Sequence, residues 1–199
     1  MRMTNREWRR WLEREKQEPS FIYAYNGIVR ESKRLLIFPK EEFWFRPLEQ
    51  DIEKVDVVIT GTRPVGIPAF SRGYAYSSLG EETLPIKRFH YNFRRVFGYE
   101  PELDKEDWID KGILLLNREL TSRSYSGQYG KRGNPHKRWI SFTQSIVQRL
   151  LNDTKERVFI LADDYGYESL QNPHNHPVFY NLEEGFIYLK ETHPTIFGG

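Results

Sequence analysis

Alternating apolar runs and amphipathic stretches predict an α/β fold, a three-layer α/β/α sandwich around a central, mainly parallel four-stranded sheet. Val57-Val58-Ile59, Ile113-Leu114-Leu115-Leu116 and Val158-Phe159-Ile160-Leu161 read as buried strands, with Phe186 to Leu189 as the fourth. Helical faces separate the first three. The run ending at Thr60 leads into a loop built from Gly61, Pro64, Gly66 and Pro68. A rigid glycine/proline loop at a strand's carboxyl end is where α/β folds usually place their sites. The 199 residues are read as one domain, 1–199, long enough to bury a substantial core.

Along the chain, Thr4 and Glu7 have capping-box spacing, and Trp8, Trp11 and Leu12 then share one helical face. A second helix follows Pro19, with Phe21, Ile22, Tyr25, Ile28 and Val29 as its apolar stripe. Leu35 to Phe38 is extended and stopped by Pro39. After the central strand, Arg72 to Ser77 is extended and ends in a polar turn around Gly80. Thr83 then opens a helix that buries Ile86, Phe89, Phe93, Val96 and Phe97 and stops at Gly98. A short helix holds Asp107-Trp108-Ile109, and the strand ending at Asn117 comes next. Thr121 to Arg138 interleaves Arg123, Lys131, Arg132, Lys137 and Arg138 with Tyr125 and Tyr129. Trp139 to Leu151 is amphipathic, with Phe142, Ile146, Val147 and Leu150 on the side of Trp139.

Composition narrows the function classes. Thirty basic residues against 28 acidic ones leave a formal charge of +2, so a nucleic-acid footprint must come from local clustering. With no cysteine, disulfides and thiolate metal sites are excluded, which fits a reducing compartment, cytoplasmic or nuclear. No apolar run is long enough to span a membrane, and none follows Met1 to Thr4 as a signal core. Aromatics make up 15% of the chain; some would fill the core and some would stack on bases. His174 and His176 stand two apart without matched carboxylates, so no metal is expected there, and no cofactor is implied.

Taken in order, several segments resemble family 1 uracil-DNA glycosylase, over about Leu12 to Phe197. Glu15-Lys16 to Phe21 is similar to E-K-x-x-P-Y-F, and Gly61 to Gly66 stands where the family has G-Q-D-P-Y-H. Gly73-Tyr74-Ala75-Tyr76-Ser77 is similar to G-L-A-F-S. Gly112 to Thr121 is similar to G-V-L-L-L-N-x-x-L-T, the most specific match. Trp139 with Phe142-Thr143 fits G-W-x-x-F-T, and Leu189 to Pro194 fits the strand leading into H-P-S-P-L. The resemblance implies the glycosylase-like sandwich, truncated at the C-terminus. It also implies a pocket for a flipped base: Tyr76 stacks on it, Asn117 reads its Watson–Crick edge, and His193 bonds its O2. Thr62 and Val65 would line the same pocket, while Lys87, Arg132 and Lys137 would hold the DNA backbone.

The departures matter as much. Arg63 stands in place of the aspartate that orients water and stabilises an oxocarbenium-like sugar, and an arginine stays protonated and carries the opposite charge. Val65 replaces a tyrosine that blocks the thymine methyl, and Ala162-Asp163-Asp164 replaces W-G-S, setting two carboxylates against a phosphate backbone. Phe197 lies about where the family's intercalating leucine would sit. Three readings stay open: a catalytically altered protein that binds DNA or a pyrimidine base, a glycosylase for a C5-modified pyrimidine using another carboxylate such as Asp163 or Asp164, or a non-enzymatic module for a protein partner.

Overall fold

A computed structural model describes residues 2–64, 72–77, 83–102, 105–123, 136–162 and 167–197. Helix α1 (Asn5–Glu15) starts from a complete capping box, with the Thr4 hydroxyl accepting from the Glu7 amide and the Glu7 carboxylate accepting from the Thr4 amide. Helix α2 (Pro19–Ser32) follows, with Pro19 in the first turn, where its missing N–H costs nothing. The chain then runs through β1 (Ile37–Phe38), β2 (Val57–Gly61), α3 (Leu84–Phe97) and α4 (Glu106–Asp110). It continues with β3 (Ile113–Asn117), β4 (Ser122–Arg123), α5 (Ile140–Leu151), β5 (Val158–Ile160), β6 (Val178–Phe179) and α6 (Leu182–Thr192). Gly98 ends α3 with φ +85°, a conformation that glycine adopts without a Cβ penalty.

The main sheet has the order β3-β2-β5-β6, and each of its pairings is parallel. Period-two alternation splits the strands between two layers. Val58, Leu114, Leu116 and Phe159 pack with Trp8, Phe21, Ile28, Trp139 and Ile146, so α1, α2 and α5 cover one face. Val57, Ile59, Ile113, Leu115 and Ile160 pack with Phe89, Phe93, Trp108 and Phe186, so α3, α4 and α6 cover the other. The expected three-layer sandwich is present. Among the described residues no helix is long and apolar enough to cross a membrane.

Three expectations are corrected. Phe186 to Leu189 lies inside α6, not in a strand: Leu182, Phe186 and Leu189 are buried at helical spacing, and the Asn181 side chain accepts from the Glu183 and Glu184 amides. The fourth strand is Val178–Phe179, paired with Phe159 and Ile160. Phe197 is no wedge. It is only 6% exposed and packs against Trp108, Phe97 and Phe93 with ring centroids 4.7–5.0 Å apart, because α3, α4 and α6 form an aromatic pocket for it. On α2, Ala24 takes the buried place expected for Ile22, which is 41% exposed.

Candidate functional site

From β2 the chain leaves for β3 on one side, then crosses to β5 on the other. The carboxyl end of β2 is therefore a topological switch point, where parallel sheets open a crevice. Gly61, Thr62, Arg63 and Pro64 occupy this end, and Asn117 ends the neighbouring strand in register with Gly61. The ladder extends past both strands: the Arg118 amide donates to the Gly61 carbonyl at 2.7 Å, and the Glu119 amide to that of Thr62 at 3.0 Å.

These residues line one cavity with Tyr74, Tyr76 and Ser77 on one wall and Thr83, Pro85 and Ile86, at the start of α3, on another. Gly61 sets its closeness. A Cβ there would stand 3.0 Å from Asn117 Oδ1, 2.9 Å from the Ala75 methyl and 3.4 Å from the Tyr76 ring. Its free volume is about 20 Å³, room for a single water and not for a base.

Tyr76 is held in a strained conformation by two contacts. Its φ of +58° lies in the left-handed region, which costs a non-glycine residue on the order of 1–3 kcal/mol and persists only where the surroundings over-determine it. Here its hydroxyl donates to the Thr60 carbonyl at 3.0 Å, and its ring stacks on Phe89 at 4.3 Å. Asn117 is 1% exposed; its Nδ2 donates to the Gly73 carbonyl at 3.4 Å, whereas its Oδ1 accepts no hydrogen bond among the described residues. The buried Ser77 hydroxyl is likewise without a partner among the described residues. An amide acceptor and a hydroxyl left open in a water-sized cavity are chemically ready for a ligand, since an unmade buried bond costs about 1–3 kcal/mol.

The structure thus brings together Thr62, Arg63, Tyr76 and Asn117. It does not bring His193 to them. That residue caps the carboxyl end of α6, where its Nδ1 bonds the Thr192 hydroxyl at 2.8 Å, because the strand expected to deliver it is a helix. Lys87 is exposed on the first turn of α3, beyond the cavity wall at Pro85, and Lys137 is exposed at the start of a 3₁₀ turn, Lys137–Trp139. Val65, Arg132, Asp163 and Asp164 lie outside the described residues. His176 is structural: its Nδ1 accepts from the Arg157 amide and its Nε2 donates to the Asp153 carbonyl. Among the described residues no group of three or more potential ligands gathers to hold a metal.

Sequence reasoning missed Ser77, which sits in plain view in the Gly73 to Ser77 segment, and Glu119. Glu119 is 1% exposed, and its Oε2 has no hydrogen-bond partner among the described residues. Burial pushes its carboxyl up, and the charges of Arg118, Arg63 and Lys137 only partly oppose that. A carboxyl raised by folding stabilises the fold below its ordinary value of 4.5 and costs stability once it is ionised. Glu119→Gln is therefore expected to melt higher than the parent at pH 7. The difference should vanish in melts taken below pH 4.5.

Fold and pocket first define a class: a parallel α/β protein with an amide- and aromatic-lined pocket at the switch point of its sheet. No family model matches the chain. It is 32% identical over 166 residues to a uracil-DNA glycosylase of Aliivibrio salmonicida, covering 79% of this chain and 71% of that protein. It is also 26% identical over 214 residues to a uracil-DNA glycosylase of Azobacteroides pseudotrichonymphae, covering 95% of both. The crystal structure of mimivirus uracil-DNA glycosylase superposes with a TM-score of 0.71 at 17% identity, over 89% of this chain and 68% of that one. The chain belongs to the uracil-DNA glycosylase family.

Proposed function

We propose that this chain recognises a pyrimidine base of DNA in the switch-point pocket and does not excise uracil in the ordinary way. The observation that carries the reading is Asn117 Oδ1, a buried acceptor without a donor among the described residues, in a cavity that Arg63 also lines. A base N3–H is such a donor, and the ring of Tyr76 offers a stacking surface. At about 20 Å³ the cavity admits a base only after the side chains around its mouth move. Arg63 takes the place where, by resemblance, the family keeps its water-orienting aspartate. A guanidinium there does not accept a proton from water, and it repels positive charge developing on the sugar.

Incubating the protein with oligonucleotides containing uracil, thymine or C5-modified cytosines, followed by alkali, tests this. The expected result is binding without strand breaks at uracil. Breaks at uracil with the unaltered protein would reject the proposal. Breaks only at a C5-modified base would instead support a glycosylase that draws on a different carboxylate. Glu119 favours that second reading, since it is a buried acid held beside the Arg63 loop by the hydrogen bond that its backbone amide donates to the Thr62 carbonyl.

A further inference from the structure

We propose a second binding surface: a groove along α2 that takes the backbone of single-stranded nucleic acid flanking the pocketed base. It rests on the reading above and extends it away from the switch point. Two adjoining cavities, about 490 and 540 Å³, share Gly27, Arg30 and Arg138. Arg30, Arg34, Arg123 and Arg138 wall the first, with Glu31 the one carboxylate among the described residues of its lining.

That carboxylate is already engaged. It accepts from Arg123 Nε and from Arg123 Nη2 at 2.9 Å, and it meets His136 Nε2 at 3.2 Å. The Arg123 bond foremost holds it below the usual glutamate range. Arg30, Arg34 and Arg138 are exposed and, among the described residues, pair with no carboxylate. Arg30 lies in the last turn of α2 and Arg34 in the turn just past its end, where the Arg34 amide donates to the Glu31 carbonyl.

The favourable field at a helix carboxyl end accounts for basic residues near the end of α2. It does not account for Arg138, which reaches across from the 3₁₀ turn. Its guanidinium lies on the α2 backbone at Gly27, where a Cβ would overlap Nη1, and sits 5.1 Å from the centre of the Tyr23 ring. A mid-helix glycine costs roughly 1 kcal/mol against alanine, and here it seats a cation. Tyr23 itself is 66% exposed. Guanidinium groups interleaved with an exposed aromatic suit phosphates and bases together, better than they suit a purely acidic polypeptide. The two sites are neighbours through the chain: Arg123 in the groove wall follows Ser122, whose buried hydroxyl donates to the carbonyl of Pro64 in the pocket lining at 3.3 Å.

The test compares fluorescent single-stranded probes of about four and about sixteen nucleotides by anisotropy over a salt series. The long probe is expected to bind more tightly. Combining Arg30→Ala with Arg34→Ala should weaken the long probe roughly ten-fold at low salt and flatten its salt slope by about 1.4, at about 0.7 per phosphate. The same change should leave the short probe unaffected. Tyr23→Ala should cost the long probe roughly five-fold with its slope unchanged. Because the altered side chains are exposed, their melting curves should match the parent's. An unchanged slope in the double variant, or a long probe no tighter than the short one, would overturn the groove and leave the pocket reading standing. No binding of either probe at low salt would remove both. Polyglutamate of matched charge competing as well as the long probe would assign the groove to an acidic protein and overturn the nucleic-acid proposal.

Discussion

Replacing Arg63 with aspartate is expected to raise uracil release from single-stranded DNA by at least three orders of magnitude. The sugar becomes cationic as its bond to the base breaks. A unit charge about 4 Å away then contributes roughly 4 kcal/mol at an effective dielectric near 20. With arginine that contribution is repulsive. At about 1.4 kcal/mol per decade, removing it is worth roughly a thousand-fold. An aspartate adds an attraction of the same order and a group able to orient water. Arg63→Gln separates the two effects, because it removes the repulsion without supplying a carboxylate, and it should recover only the first part. Alkali-labile sites in a uracil oligonucleotide, followed over time with each variant, give the rates. If Arg63→Asp binds the oligonucleotide and still releases nothing, the block lies elsewhere, and His193 at the end of α6, away from the cavity, becomes the leading cause.

The site was most legible where local chemistry and global topology agree. Val57 to Gly61 and Ile113 to Asn117 are continuous buried runs, and a run buried on both faces can only be an interior strand here. Their ends place Gly61, Arg63 and Asn117 at the carboxyl end of the sheet, while the roles of Arg63 and Asn117 come from the family resemblance. The chain after Phe179 misled because Phe186-Ile187-Tyr188-Leu189 is apolar enough to pass for a strand. Only the wider window, with Asn181 as a cap followed by Glu183 and Glu184, shows the helical period. The true fourth strand, Val178–Phe179, has two half-buried residues and is too short to carry a periodic signal. Glu119 was illegible for another reason. Nothing in Arg118-Glu119-Leu120 marks a glutamate for burial; its depth comes from the bond between its amide and the Thr62 carbonyl, a pairing of residues far apart in sequence.

The opposite end of the sheet should show the largest effect on stability. Arg157, 1% exposed, donates to Asp153 Oδ2 at 2.6 Å, to the Val55 carbonyl at 3.1 Å and to the Ile52 carbonyl at 3.3 Å. Arg157→Leu leaves a buried carboxylate and two carbonyls without those donors, and breaking a buried pair from one side costs about 3–5 kcal/mol. For a chain of this size that lowers the melting temperature by roughly 6–20 °C. The pH profile identifies the cause. Burial alone would raise the Asp153 carboxyl, but the bonds from Arg157 and the Met3 amide hold it below its ordinary 3.8. Its contribution is therefore present above pH 3.8 and is lost as the pH falls through the lower folded value. Burial lowers His136 and His176, so the parent's stability should already begin to fall below pH 6.5. In Arg157→Leu the unpaired Asp153 carboxyl rises instead, and acidification through the carboxylate range should then relieve strain where it destabilises the parent. Melts at pH 8, 5 and 3.5 distinguish the two profiles; parallel curves would show that Asp153 draws little from Arg157. Val55 and Arg157 precede β2 and β5, whereas Arg63 and Asn117 stand at the carboxyl end of the sheet. The folded fraction of Arg157→Leu should therefore bind oligonucleotide as the parent does, so its loss is one of stability alone, while Arg63→Asp alters the chemistry and leaves this network intact.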